Sequence, residues 1–279
     1  KNVFMQSNIF PILDDNRHVI GFRGAGKDVT GRKVAEIKNR KYISEIEYIN
    51  KKLEDYSYTI SHDLKEPIRS IRSFSEFIKE DYSDKFDEEG NDYLTRIIKA
   101  STKMALMIDD LLILSRVGRK DIEFKKQSIT ELISDVNDVL WKKIEQFNVN
   151  IIQNNLPAIT CQPLWMKLVF QNLISNSIKY RAHDKTDIYI SYRELPTEHE
   201  FSVRDNGKGI EKDQHEKIFG LFRKAHQDRN IEGSGAGLAI VKSIIEQHNG
   251  KVWIDWSETG EGTIIKFTVN KSLNHTMEM

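Results

Sequence analysis

Ile46, Ile49, Leu53, Tyr56 and Ile60 follow one another in alternating steps of three and four residues. That spacing is the seam of a coiled coil, and it constrains the fold of this chain more than any other feature. The five basic and five acidic residues of segment 34–60 lie mostly off the seam. Apolar spacing continues through Leu64, Ile68, Ile71, Phe74 and Ile78, with Pro67 inside the pattern. A proline there removes one helical hydrogen bond and is expected to kink the helix just upstream. Segment 82–91 (YSDKFDEEGN) reads as a turn, and a second amphipathic helix runs through Tyr93, Ile97, Met104, Ile108, Leu111 and Leu114 to a stop at Gly118. Two long helices with a short connection make an antiparallel hairpin with apolar surface to spare. Two such hairpins make a four-helix bundle, so the chain reads as a homodimer. The alternative is a hairpin packed onto its own neighbouring domain.

The flanks are of different character. Residues 1–33 carry turn signals (Pro11, Asp14-Asp15-Asn16, Gly21, Gly24, Gly26, Gly31), and 9–13 and 19–24 read as two short strands. Two strands cannot close a core, so this is the end of a domain rather than a whole one. After Gly118, helices at about 128–147, 163–181 and 235–249 interleave with strands at about 149–153, 187–193, 200–204, 251–256 and 263–269. That mixture predicts an α/β two-layer sandwich, one sheet against one layer of helices. Its single cysteine, Cys161, excludes an internal disulfide. Lys+Arg and Asp+Glu both number 42, so no net field exists to hold nucleic acid or an anionic membrane nonspecifically. No apolar run approaches the roughly 20 residues of a membrane span, and no signal peptide opens the chain. The expectation is a soluble, cytoplasmic region, with anything upstream of Lys1 beyond its reach.

Four segments carry chemistry. On the first long helix stands Ser61-His62-Asp63-Leu64-Lys65-Glu66-Pro67. Asp63 can accept from one ring nitrogen of His62 and leave the other as a nucleophile. In the second, Asn172, Asn176, Lys179 and Tyr180 share one helical face. Two carboxamides, an amine and a phenol suit a triphosphate: an oxygen for Mg²⁺ from Asn176, an ammonium for phosphate oxygens. Third is Asp205-Asn206-Gly207-Lys208-Gly209, directly after a strand. Asp205 can accept from an exocyclic amine such as that of adenine, while Gly207 and Gly209 let backbone approach the ring. The last, Gly233-Ser234-Gly235-Ala236-Gly237-Leu238, opens a helix without the GK[ST] of a P-loop, and offers free N–H groups to phosphate. Before it, Phe219, Phe222 and the polar run 224–232 (KAHQDRNIE) have the character of a mobile lid. Gly260-Glu261-Gly262-Thr263 is a further turn ahead of the last strand, with Thr263 included in the candidate nucleotide set.

In this order the four segments resemble a sensor histidine kinase. The surroundings of His62 look like its phospho-acceptor box, 172–180 its asparagine box, 205–209 and 233–237 its two glycine boxes, and 219–222 its phenylalanine box. The resemblance covers roughly 34–270. It implies a coiled-coil signalling helix (34–60), a dimerisation and phosphotransfer hairpin (61–117), a catalytic domain of the Bergerat ATP-binding fold (118–273) and a tail (274–279). The opening 1–33 is similar to the last strands of a PAS sensor domain. Two departures stand out. Ser234 and Ala236 replace the usual residues of the second glycine box, both by small ones, and the basic residue expected after the second phenylalanine is either Arg223 or Lys224.

The resemblance implies ATP and Mg²⁺ as cofactors, autophosphorylation of His62, and transfer to an aspartate of a response-regulator receiver domain under the control of an upstream sensor domain. The same ATP fold serves topoisomerases, mismatch-repair proteins and chaperones, which by resemblance carry a glutamate base four residues before the magnesium asparagine. Here that position is Asn172, which takes no proton. That favours transfer to a protein nucleophile over hydrolysis. A non-catalytic scaffold would have lost the acceptor or the ATP-site residues, and none is missing.

Overall fold

A computed structural model of the chain describes residues 3–117, 123–223 and 233–273. Two compact units divide at Tyr56 and Ser57. In the first, β1 (Met5–Leu13) and β2 (Val19–Asp28) pair antiparallel, with Met5 opposite Asp28 and Phe10 opposite Arg23. The strands are longer than the 9–13 and 19–24 read from the sequence. Their turn is built by Asp14, whose Oδ1 accepts from the N–H groups of Asn16 (2.9 Å) and His18 (2.7 Å). Ile9, Phe10, Ile20 and Phe22 are all exposed. Asp28 then accepts from Thr30 N–H (2.8 Å), and Thr30 opens α1 (Thr30–Tyr82), which passes Pro67 without interruption. The seam residues Ile46, Ile49, Tyr56 and Ile60 are exposed on the single chain. The Leu53 side chain lies outside the described set.

In the second unit a 3-10 turn (Ser83–Lys85) leads to α2 (Glu88–Val117). This helix starts inside the segment expected to be a turn. Asp87 caps it, accepting from Gly90 N–H at 2.8 Å, and Glu88 and Glu89 complement the positive end of the helix dipole. The Lys65–Asp109 ion pair and a bond from Lys79 Nζ to Thr95 Oγ1 (2.9 Å) join the two helices. The predicted stop at Gly118 and the tail 274–279 lie outside the described residues.

The rest forms the expected sandwich. Its elements are β3 (Lys125–Ser128), α3 (Ile129–Gln146), β4 (Val149–Gln153), β5 (Ala158–Cys161), α4 (Pro163–Lys179), β6 (Thr186–Glu194), β7 (Glu198–Asp205), α5 (Gly237–Gln247), β8 (Val252–Glu258) and β9 (Gly262–Asn270). The main sheet has the order β4-β6-β7-β9-β8, with β4 and β6 parallel and the other pairs antiparallel. A small antiparallel sheet of β3 and β5 was not anticipated; four-residue strands are too short to show a period of two.

Helix α4 organises the core. Met166, Val169, Phe170, Leu173, Ile174, Ser177 and Ile178 are buried in steps of three and one, the face a 3.6-residue period presents to a sheet. Opposite stand Ile188, Ile190, Phe201, Val203, Phe267 and Val269, alternate residues of β6, β7 and β9. Phe170 meets Phe201 and Phe267 edge-on, with centroids 5.9 and 5.6 Å away. Cys161 belongs to this core: burial pushes its thiol pKa up to about 12, which leaves it inert. Since the apolar stripe of α4 faces the sheet, its polar positions 172, 176 and 179 are left for the edge of the domain.

Candidate functional site

A cavity of about 640 Å³ opens at that edge. Asn172, Asn176, Lys179, Tyr180, Asp205, Gly209, Arg223, Gly233, Ser234, Gly235, Gly237, Leu238 and Thr263 line it, so most of the nucleotide set expected from the sequence is brought together. Asp205 lines it from the end of β7. Its Oδ2 accepts from the Ser177 hydroxyl (2.9 Å) and its Oδ1 from Gly207 N–H (2.9 Å). Burial raises its carboxyl above the ordinary range, opposed by bonds from the Gly207 and Thr263 N–H groups and from Ser177. A carboxylate held this way is a directed acceptor for an exocyclic amine.

Lys179 ends α4 and Tyr180 follows as its C-cap, with the Lys179 Nζ 4.9 Å from the Tyr180 ring centroid. Burial pushes the Tyr180 phenol up. Asn172 Nδ2 donates to Leu168 O (2.9 Å), so its Oδ1 is turned toward Gly237, where a Cβ would come within 2.6 Å of that oxygen. Only glycine lets the N-terminus of α5 approach the asparagine face this closely.

Of the expected residues, Gly207, Phe219 and Phe222 stand outside the cavity lining, while Gly209 is part of it. Gly209 sits at φ +72°, and a Cβ there would run into the Glu258 carbonyl. That approach to the backbone is one only glycine allows, and the residue also lines the cavity. Gly207 pairs with Arg181 in an isolated antiparallel bridge. Phe219 lines a separate hollow with Lys217, Gly220, Arg223 and Lys242, while Phe222 is exposed with φ +57°. Neither phenylalanine lines the main cavity. Lys224 and the lid run 224–232 lie outside the described residues.

Several lining residues had no motif to announce them. Lys143 and Phe147 come from the end of α3, and the Arg181 guanidinium lies 3.7 Å from the Phe147 ring centroid. Lys143, Lys179, Arg181, Lys208 and Arg223 give the cavity a basic rim, suited to a polyanion. Leu106 and Asp110 enter from α2. Only Arg181 was within reach of sequence reasoning, as a cation directly after Lys179-Tyr180.

His62 stands elsewhere, exposed on α1, with Nδ1 3.2 Å from Asp63 Oδ1. The neighbouring carboxylate thus reaches the ring, and Nε2 is left as the other ring nitrogen. A hollow of about 450 Å³ beside it is lined by Lys65, Glu66, Arg69, Arg72, Ser101 and Asp109, among others. Among the described residues no cluster of three or more His, Cys, Asp or Glu could hold a metal, and no helix is long and apolar enough to cross a membrane.

The known proteins that resemble this chain agree with that division. Residues 52–120 match the His Kinase A (phospho-acceptor) domain, and residues 161–273 match the histidine kinase-, DNA gyrase B- and HSP90-like ATPase. These two domains in this order place the chain among the protein histidine kinases. Cyanobacterial phytochrome B of Nostoc is 40% identical over 81% of this chain and 30% of its own length. The methanogenesis regulatory histidine kinase FilI of Methanothrix harundinacea is 37% identical over 85% of this chain and 26% of its own length. The chain thus spans under a third of these relatives. Full-length ShkA in complex with AMPPNP shares the fold at a TM-score of 0.57 and 21% identity, covering 77% of this chain and 45% of that one. Histidine kinase ThkA in complex with response regulator protein TrrA does so at 0.55 and 22%, covering 95% and 75%. Neither family match reaches residues 1–51, where the likeness to PAS strands rests on pattern alone.

Proposed function

We propose that this chain transfers the γ-phosphoryl group of ATP to His62 and passes it on to an aspartate of a response-regulator receiver domain. The observation that carries this reading is one chain holding both an exposed imidazole oriented by a carboxylate and a basic, glycine-walled cavity with a half-buried aspartate. Adenine is read by Asp205. The triphosphate lies toward Lys179, Tyr180, Arg223 and the 233–237 loop. Two carboxamides fit Mg²⁺, which takes few protein oxygens and keeps water and phosphate as its other ligands. Asn176, with Asn172 beside it, would hold the ion, which supplies charge compensation for the phosphates when bound.

The ring's own chemistry follows from its contacts. With Nδ1–H donated to Asp63, the Nε2 lone pair attacks the γ-phosphorus while the bond to the β-phosphate bridging oxygen breaks and ADP leaves. The Nδ1 proton passes to Asp63, so the product ring is neutral. The basic rim offsets charge on the transferring group. A receiver carboxylate oxygen then displaces Nε2 from phosphorus; the ThkA–TrrA complex supports a regulator as partner.

Assembly follows from what the single chain leaves uncovered. The exposed seam on α1 and the exposed rows on both hairpin helices support a coiled coil running into a homodimeric four-helix bundle, with limits near 34–60 and 61–117 ahead of the 118–273 catalytic domain. An antiparallel pair leading directly into α1, with apolar residues bare, supports the opening as closing strands of a PAS-like sensor domain. ATP as the donor supports a cytoplasmic setting. The test is incubation with γ-labelled ATP: wild type acquires acid-labile, base-stable label, and His62→Gln acquires none while ATP affinity stays within about twofold. Acid-labile label on the variant would overturn the acceptor assignment.

A further inference from the structure

The acceptor hairpin supplies one wall of the nucleotide cavity, through Leu106 and Asp110 of α2. Asp110 Oδ2 accepts from the Ser234 hydroxyl, and Ser234 Oγ in turn accepts from Ala236 N–H at 3.2 Å. Ala236 is the residue before α5, an 11-residue helix that has no side-chain cap of its own. The carboxylate therefore stands beside a helix N-terminus whose unpaired N–H groups and dipole favour an anion. Burial raises the Asp110 carboxyl and the like charge of Asp109 adds to this, against the bond from Ser234.

An anion thus already occupies the end of the cavity where the glycine loop would receive a terminal phosphate. We propose that Asp110 is a specificity residue of the nucleotide site, competing with the terminal phosphate of ATP for Ser234 and the start of α5. With α2 docked, the cavity takes ADP in preference to ATP. ATP binds fully only when α2 draws back and carries Asp110 out. This rests on the nucleotide reading given above, and adds that the acceptor hairpin discriminates by phosphate number. Adenosine, which has no phosphate, is indifferent to Asp110.

The experiment measures dissociation constants of ATP, ADP and adenosine by calorimetry, in the His62→Gln background so that no ATP is consumed. Asp110→Asn keeps the shape and removes the charge; Asp110→Ala removes the acceptor altogether. Both are expected to tighten ATP relative to ADP by roughly tenfold, the scale of one charge pair across a partly solvated gap. Adenosine affinity stays within about twofold, and thermal melting confirms the folded state of each variant. An unchanged ATP-to-ADP ratio in both variants would overturn the role of Asp110 alone. Failure of the parent protein to bind either nucleotide would overturn the nucleotide reading itself.

Discussion

Helices α2 and α3 both carry apolar residues at helical spacing, yet they end in opposite environments. Over 18 residues α3 buries Ile129, Leu132, Ile133, Val136 and Leu140. Over 30 residues α2 buries Leu94, Ser101 and Val117 only. Leu64, Ile71, Phe74, Phe77, Met104 and Leu111 of the hairpin remain exposed, Phe74 to 66%. An amphipathic helix buries its stripe only where the chain supplies a surface against it. The sandwich supplies its own, through β6, β7 and β9; the hairpin does not, and exposed apolar rows of this size mark an association surface. One half of the molecule is finished alone, and the other is half of something larger. The proposed chemistry divides in much the same way, with most of the candidate nucleotide groups on the closed half and the candidate nucleophile, His62, on the open one.

The most severe break of that division is Asn176→Asp. The carboxylate keeps an oxygen where a cation would be held, but it adds a negative charge beside a triphosphate. Self-labelling is expected to fall by roughly 100-fold or more, with circular dichroism unchanged. Labelling at the wild-type rate would remove Asn176 from the site.

A pair of phenylalanines sharpens the packing side of the comparison. Phe170 is fully buried between Phe201 and Phe267, so Phe170→Ala should destabilise the sandwich by about 3–5 kcal/mol in urea unfolding. Phe74→Ala should shift that transition by less than ~0.5 kcal/mol. Its effect appears instead in sedimentation, as a weaker dimer. Equal losses in urea would show that the hairpin packs within its own chain after all.

What the sequence disclosed follows the same line. Asn172 and Asn176 were legible because two carboxamides on an otherwise apolar helix have no place in a core, and Asp205 because it ends a strand at a glycine turn. The long helices were legible because their period runs unbroken. By contrast Asp110 and Leu106 look like ordinary positions on an amphipathic helix. Their place at the nucleotide cavity depends on how hairpin and sandwich dock, which no local pattern encodes. Lys143 and Phe147 were hidden for the same reason, at the end of α3 and far from every motif. The glycine at 209 was legible as a place of close approach, but spacing could not show that the Glu258 backbone is one of the neighbours it meets. The start of α2 was missed because Asp87 caps a helix with residues that also favour turns.

The smallest effect concerns the closed half alone and is a dependence on pH. His248 is fully buried, its Nδ1–H donating to Ile244 O (2.7 Å) and its Nε2 accepting from Gln162 N–H (3.1 Å). It thereby ties the end of α5 to Gln162, whose side chain caps α4. Only the neutral ring can make both bonds, and burial lowers its pKa below the ordinary 6.5, against the bond to Ile244. The unfolded chain therefore takes up this proton at higher pH than the folded one. The contribution is fully present above 6.5 and is lost as pH falls from there toward the lowered folded value. Carboxylates also titrate toward the acid side, so the informative quantity is the difference between wild type and His248→Gln, which keeps an acceptor for Gln162. The advantage of wild type at pH 7.5 should shrink toward pH 5.5, by at most about 1.4 kcal/mol per pH unit. A difference that stays constant across that range would mean that the proton is not excluded by folding.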